Sequence, residues 1–374
     1  MKKRVIYTTP TIRRVGHFLT AHVDAKLLGA ILLLMMVGLL IIYGASNQNL
    51  ARVLAQFFNM LVALAVMYLF ANIPPQFLQR IALPLYVIGV ALLIGVALHG
   101  DVVNGARRWL HIGVARIQPS ELMKIVLPMM LAWYFDHYEA TLRVKNYLIA
   151  TALLALPVAL VVRQPDLGTA LLIFAGGCFV LFLANLSWRI IVGLVIATVA
   201  SLPFLWSMLH DYQRQRILTL LNPAQDPLGT GYHTLQSMIA IGSGGIFGKG
   251  WLNGTQAYLE FLPAPTTDFI FAAYAEEFGL FGSLLLLLLF LLAIARGIVI
   301  TANAPTPFTR LLAGAITLTF FTYAIVNMGM VSGLLPVVGV PLPLISYGGT
   351  SLVTICLGFG ILMSIQTHKK LVQS

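Results

Sequence analysis

The sequence predicts an all-α, polytopic membrane protein with about ten transmembrane helices and one long polar loop on the outer side. Three observations lead there. Of 374 residues, 59% are hydrophobic and only 9% charged, against about 25% charged in soluble domains. Mean hydropathy is +0.91. Apolar runs of about 20 residues, the length that crosses a bilayer, recur along the chain and are interrupted by one polar stretch over 210–267.

Taken in order, the spans are expected at 27–45, 54–72, 81–98, 119–136, 147–162, 168–185, 189–209, 268–295, 310–334 and 343–366. For the short pair 147–162 and 168–185 a re-entrant hairpin is the alternative, with the same orientation for the rest. A mixed polar stretch of about 25 residues precedes the first span, so no cleavable signal peptide is expected. Residues 1–374 read as a single membrane domain, with 210–267 as its long extracytoplasmic loop.

An even number of crossings puts both termini on one side. With the N-terminus inside, fourteen of the 23 Lys and Arg fall inside, eight outside, and Lys124 within a span. The positive-inside tendency then places both tails in the cytoplasm. The same tendency accounts for most of the net charge of +11, so no nucleic-acid partner is expected, although that charge would suggest one in a soluble protein. Cys178 and Cys356 lie in apolar runs and suggest neither a disulfide framework nor a metal site.

The acidic residues are biased outward. Asp101, Glu121, Asp166, Asp211, Asp226, Glu260 and Asp268 fall at or beyond the outer helix ends, and only Asp24, Asp136 and Glu139 on the inner side. Glu276 and Glu277 are expected about two to three turns inward of Asp268 on the eighth helix. Polar function concentrated outside argues against a cytoplasmic ATP-driven device.

Several motifs carry candidate chemistry. In Gln118-Pro119-Ser120-Glu121 proline and serine suit a helix start. Lys124 follows Glu121 by three residues, on the same helical face. The two form either a structural pair that offsets the cost of an embedded lysine or a fixed cation for an anionic head group. Arg163-Gln164-Pro165-Asp166-Leu167-Gly168-Thr169 reads as a tight turn in which Asp166 or Thr169 caps the sixth helix. Alternatively Asp166 holds a cation or positions an arginine. Arg107 and Arg108 lie outside, against the usual bias, and invite a phosphate-binding explanation, with Trp109 as an interfacial anchor. The long loop carries Asp211-Tyr212-Gln213-Arg214-Gln215-Arg216 and then Gly242-Ser243-Gly244-Gly245-Ile246-Phe247-Gly248-Lys249-Gly250-Trp251. The latter is not a P-loop, because Ser243 stands at the required glycine and Gly250 at the required Ser or Thr. The dinucleotide fingerprint also fails, at Phe247. Residues 231–247 space Leu235, Met238, Ile239 and Ile241 as an amphipathic helix lying in the outer interface.

Asp268 is the strongest single candidate. Pro263 and Pro265 stop any helix before it, and Thr266 or Thr267 suits a cap. An acid in the first turn is favoured by the helix dipole and needs no further role. Its place at the membrane surface, between a basic loop and an apolar span, also suits a base acting on a lipid-linked substrate.

These motifs together resemble the SEDS family (shape, elongation, division and sporulation proteins) over nearly the whole chain. The resemblance runs through Gln118–Glu121, Gln164–Thr169, Asp211–Arg216, Asp226-Pro-Leu-Gly229, Gly242–Gly245 and Gly248–Trp251. It continues through Thr267–Phe271, Ala275–Glu277, Gly333–Pro336 and Leu344–Gly349. The run Pro336–Pro343 looks like the elongation branch rather than its division paralogue. The resemblance implies ten helices and a peptidoglycan glycosyltransferase that polymerises lipid II on the outer face of the cytoplasmic (inner) membrane. It implies a class B penicillin-binding protein as cross-linking partner, Asp268 as the essential aspartate, Glu121 and Lys124 as the buried pair, and Asp166 as an outer-loop acid. Relatives usually carry a glutamate where Ala264 stands and often a histidine where Thr266 stands, so helpers to Asp268 at those positions are missing here.

The expected reaction is an inverting transfer in which Asp268 takes the proton of the acceptor sugar's 4-hydroxyl and undecaprenyl pyrophosphate departs. Arg108, Lys124, Arg214, Arg216 and Lys249 are the candidate pyrophosphate clamps, with Glu121 and Asp166 beside them. Cationic clamps or a divalent ion, magnesium or manganese, would neutralise the leaving group; no metal-ligand spacing is readable. Lipid tails would lie between spans. A lipid II flippase and a non-catalytic scaffold are the competing readings. A flippase needs polar groups through the full membrane depth, whereas the inner half is nearly charge-free apart from Glu276 and Glu277.

Overall fold

The computed structural model describes residues 22–103, 106–112, 115–138, 143–164, 166–184, 230–259 and 261–368, with scattered positions between 192 and 220. Most of the expected seventh span, 189–209, and Asp211, Arg216 and Asp226 lie outside the described residues, whereas Arg214 is described.

Three helices come first: α1 (Ala25–Ala45), α2 (Leu50–Ala71) and α3 (Pro75–His99). Each starts on a legible signal. Asp24 caps α1 by accepting from Leu27 N–H, Asn49 caps α2 by accepting from Arg52 N–H, and Pro75 opens α3. Proline is pre-shaped for a first turn, which carries α3 six residues ahead of its expected start.

The all-α architecture holds, with one small local addition. Between α3 and the next helix lies a three-stranded antiparallel meander, β1 (Asp101–Val103), β2 (Ala106–Ile112) and β3 (Ala115–Ile117). Val103 pairs with Ala106 across Asn104-Gly105. Asn-Gly between β-formers is the strongest short-range hairpin signal, and here it outweighs the helical setting.

After the meander come α4 (Pro119–His137), α5 (Val144–Val162) and α6 (Leu167–Leu183). α4 is buried along most of its length, Glu121 and Lys124 included. Asp166 caps α6 by accepting from Thr169 N–H at 3.2 Å, as its sequence context predicts. The second half holds α7 (Thr230–Gly244), the short α8 (Thr255–Tyr258), α9 (Ile270–Ala302), α10 (Pro307–Val331) and α11 (Thr350–Thr367). A Thr306/Thr309 capping box starts α10. α11 begins seven residues later than expected because Pro341, Pro343 and Gly348-Gly349 keep the preceding chain non-helical. Among the described residues, seven helices are long and apolar enough to cross a membrane, so this is a multi-pass membrane protein. α4, α10 and α11 form the buried centre, while α2, α3 and α5 present large apolar side chains outward. The first and last described residues stack, with the His22 and His368 rings 4.9 Å apart, so the two ends of the described chain meet at one end of the bundle.

α7 does not lie on the bundle by its apolar stripe. Its buried face is Gly231, Thr234, Ser237, Ala240 and Gly244, packed on α9 and α10, while Ile239 is 49% exposed. Ser237 Oγ donates to Val331 O at 2.8 Å. Against lipid there is no hydrophobic gain from turning Leu or Ile inward, and small residues permit close backbone approach.

α9 is broken. Its 33 residues would span about 50 Å as one rod, well beyond a hydrocarbon core of about 30 Å. At Gly279 the backbone takes φ 64°, ψ −160°, a region essentially reserved for glycine. An unbroken ladder would pair Leu280 and Phe281 N–H with Glu276 and Glu277 O. Instead those amides donate to Gly245 O and Ile246 O at 2.9 and 3.0 Å, and the two freed carbonyls accept from Lys249 N–H and Gly250 N–H at 3.0 Å. The Gly-rich loop is thus spliced into the helix and satisfies the groups that a break at membrane depth would orphan. A Cβ on Gly279 would lie 2.7 Å from Ile246 O. Gly279→Ala is therefore expected to cost more than the ~1–3 kcal/mol of backbone strain, read as a lower melting temperature in detergent. An unchanged melting temperature would show that the splice is dispensable.

Glu276 and Glu277 lie on the Asp268 side of the break. Glu277 Oε1 lies against Gly44, where a Cβ would be 2.7 Å away, level with the Ala45 end of α1. That is the end from which Arg52 reaches Thr266.

Candidate active site

The chain around Asp268 is a turn, not a helix start. Thr267 N–H and Phe269 N–H both donate to Ala264 O, and α9 opens at Ile270 without a side-chain cap. Asp268 is therefore not a capping acid. Its backbone is instead pinned from three directions. Asn327 Nδ2 on α10 donates to Asp268 O at 2.8 Å and to Val340 O at 2.7 Å. Ser346 Oγ donates to Thr267 O at 2.6 Å, and Tyr347 N–H to Thr266 O at 2.8 Å. Arg52, from the start of α2, reaches Thr266 Oγ1 at 3.5 Å while its guanidinium lies 5.5 Å from the centre of the Tyr347 ring. Thr266, where relatives often carry histidine, is thus a buried hinge point of the turn, and Ala264 makes its bend with φ 42°.

The Asp268 carboxylate is half-buried and points toward Gly339, where a Cβ would sit 3.5 Å from Oδ2. Among the described residues it accepts no hydrogen bond and makes no ion pair. Burial without compensation pushes its pKa above the ordinary 3.8, since desolvation disfavours the charged form. The result is a fixed backbone carrying a free acceptor of raised basicity.

Glu121 and Lys124 meet at 2.5 Å, both buried, and Lys124 also donates to Tyr323 Oη at 2.6 Å. Tyr323 lies one turn before Asn327 on α10, so one face of that helix carries both the lysine's second partner and the Asp268 anchor. Asp166, besides capping α6, accepts from Gln118 Nε2 at 3.3 Å and lies 3.8 Å from Arg108 Nε, tying β2, α4 and α6 together. The start of α6 abuts the segment before Gly339: a Cβ on Gly168 would be 2.8 Å from Val338 O. Stepwise contacts thus gather Asp268, the Glu121–Lys124 pair and the Asp166–Arg108 pair around the C-terminal half of α10 and the 336–343 segment.

Lys249 is placed elsewhere. It pairs with Glu276 at 2.6 Å, at the break in α9. Arg214 is half-buried and engaged by a neighbour. Among the described residues no three His, Cys, Asp or Glu side chains gather as a ligand set. Sequence reasoning passed over Arg52, Tyr323, Asn327 and Ser346. A signal existed for two of them, because Tyr323 and Asn327 are polar residues four apart in an otherwise apolar span.

With this geometry in place, comparison decides the family. Residues 23–371 match the FtsW/RodA/SpoVE "Cell cycle protein" model. The chain belongs to the FtsW/RodA/SpoVE family. Within that family it is 50% identical over 351 residues to the peptidoglycan glycosyltransferase MrdB of Escherichia coli K12, covering 94% of this chain and 95% of that one. Its fold is similar to a chain from a peptidoglycan synthase complex that coordinates polymerization and crosslinking, with a TM-score of 0.81, 30% identity, and 94% and 99% of the two chains covered. It is also similar to the crystal structure of Thermus thermophilus RodA, with a TM-score of 0.70, 27% identity, and 92% and 97% covered.

Proposed function

We propose that Asp268 is the general base of a lipid II polymerase, working at the outer face of the cytoplasmic membrane beside a class B penicillin-binding protein. The chain is a peptidoglycan glycosyltransferase of the FtsW/RodA/SpoVE family, and the proposal concerns how it does the chemistry. The observation that carries the proposal is the Asp268 carboxylate itself, free of partners on a backbone held by Asn327, Ser346 and Tyr347. A positioned base contributes about 10²–10⁴ in rate.

In the transfer, the 4-hydroxyl oxygen of the acceptor's N-acetylglucosamine attacks the anomeric carbon of the strand-end N-acetylmuramic acid. The new C–O bond forms as the bond to pyrophosphate breaks, the proton passes to an Asp268 carboxylate oxygen, and undecaprenyl pyrophosphate leaves with its charge. One displacement inverts the anomeric centre. The leaving group needs counter-charge, and Arg52, beside Thr266, and Arg108, beside Asp166, are candidate cations at the cluster. Lys124 supports it from below with its charge already shared with Glu121. A magnesium or manganese ion, typically held by one or two carboxylates and substrate oxygens, would supply further neutralisation. The same end of the bundle holds Arg52, Asp268 and the spliced loop, while the first and last described residues, His22 and His368, meet at the other, consistent with cytoplasmic tails.

The pH profile tests the assignment of the base. Asp268 must be ionised to take the proton, and burial raises its pKa. At limiting lipid II the rate is expected to fall about tenfold per pH unit below a midpoint above that of an ordinary carboxylate. Polymer measured on gels from about pH 7 to about pH 4 with no acid limb would remove Asp268 from this role.

A further inference from the structure

The piece Ile270–Phe278 that carries Asp268 at its front is cut off from the membrane-spanning part of α9 by the break at Gly279. Its front is held by α10 and the 340–347 segment. Its back is held by something the reaction does not use: Glu276, with no exposed surface. This carboxylate accepts from Lys249 Nζ at 2.6 Å, from the Thr255 N–H and hydroxyl at 2.9 Å each, and from Gln256 N–H at 3.1 Å. Lys249 is held in turn by Thr255 Oγ1 at 2.8 Å. The backbones of the same two residues are joined by Lys249 N–H donating to Glu276 O. Tyr274 Oη spans the break to Gly282 O at 2.8 Å, and the Trp251 indole N–H donates to Leu40 O on α1 at 3.4 Å.

We propose that Glu276 and Lys249 form a latch that positions Asp268. The pair fixes the rear of a short helical lever whose front end is the reacting carboxylate, and Lys249 acts through Glu276 rather than on pyrophosphate. The proposal rests on Asp268 being the base. The physical reason is leverage. Ile270 lies about 9 Å along the helix axis from Glu276, with Asp268 in the turn beyond it, so a tilt of a few degrees at the latch moves the carboxylate by a sizeable fraction of an ångström. Misplacement by 1 Å costs about 10² in rate. Nothing continuous in the α9 ladder resists such a tilt, because the hydrogen bonds across Gly279 run through the loop.

The test uses the full-length chain bound to its cross-linking partner, with lipid II as substrate and strand synthesis read as kcat and KM separately. Glu276→Gln keeps the shape but loses the charge, and Lys249→Met removes the other half. Each is expected to lower kcat about 10- to 100-fold with KM changed less than about threefold. The double variant should be no worse than the more damaged single variant, because both break one latch. Lys249→Arg should recover most of what Lys249→Met loses.

A raised KM with kcat retained in Lys249→Met would make the lysine a pyrophosphate clamp and overturn the latch. Multiplying effects in the double variant would overturn it too, as would a kcat per folded molecule equal to the parent's. If Glu276→Gln does not fold, Thr255→Val removes one hydroxyl from the latch without stranding a charge. It should lower kcat in the same direction, and an unchanged kcat there counts against the proposal. Asp268→Asn is run alongside. Parental activity in that variant sinks the base assignment, whereas a dead Asp268→Asn with a fully active Glu276→Gln sinks only the latch.

Discussion

Asparagine in place of Asp268 is expected to reduce strand synthesis by about 10²–10⁴ while leaving the chain at least as stable as the parent at neutral pH. The two effects have opposite signs for one reason. Among the described residues, the hydrogen bonds that hold the turn run to backbone carbonyls of Ala264, Thr266, Thr267 and Asp268 or to the Thr266 hydroxyl, and none to the Asp268 side chain, so the substitution leaves the clamp intact. Burial raises the Asp268 pKa in the folded chain. Between the unfolded and folded pKa values the native state then binds more protons, and stability falls as pH rises through the folded value. The parent carries that loss at neutral pH and asparagine does not. Melting curves in detergent should therefore show the variant equal or higher near neutrality, with the gap closing toward acid. A variant that is inactive and melts lower would mean that Asp268 serves the fold.

The second large effect lies at Glu121. Removing its side chain by Glu121→Ala leaves Lys124 buried, 5% exposed, with only the Tyr323 hydroxyl among the described residues to solvate it. Breaking a buried ion pair from one side costs about 3–5 kcal/mol, so a large fall in melting temperature or in the yield of folded protein is expected. Replacing both members by apolar residues, Glu121→Leu with Lys124→Met, removes the stranded charge and should return much of the stability but not the activity. A single Glu121→Ala variant as stable as the parent would show that water reaches Lys124. Equal stability loss in the single and double variants would show that packing, not charge, is the issue.

Legibility in the sequence followed the range of the interaction. Spans, the proline opening of α4 and the capping by Asp166 depend on neighbours within a few residues and were read directly. The proline openings of α3 and α10 were local too but were passed over in favour of the apolar runs that follow them. The β-meander was readable too, since Asn104-Gly105 carries its signal, but the apolar setting masked it. The small-residue face by which α7 packs on α9 and α10 was not read, because the apolar spacing of Leu235, Met238, Ile239 and Ile241 drew attention to the other face. The break in α9 was not read, because Gly279 looks like any helical glycine until the loop that replaces its hydrogen bonds is seen. Asp268 was found from its flanks but assigned to a first turn that Ile270 begins instead. The contacts that make the site belong to residues far apart in sequence: Lys124 with Tyr323, Asn327 with Asp268, Arg52 with Thr266. No local pattern encodes those pairs, although polar side chains four apart inside α10 mark where to look.

The central claim is that one free carboxylate on a fixed turn takes the proton from the attacking sugar. It is tested most directly by incubating lipid II with equal amounts of folded, partner-bound parent and Asp268→Asn protein and resolving the products on a gel. The account predicts a ladder of glycan strands from the parent and none above background from the variant over the same time. Strands of the same length and amount from both would contradict it.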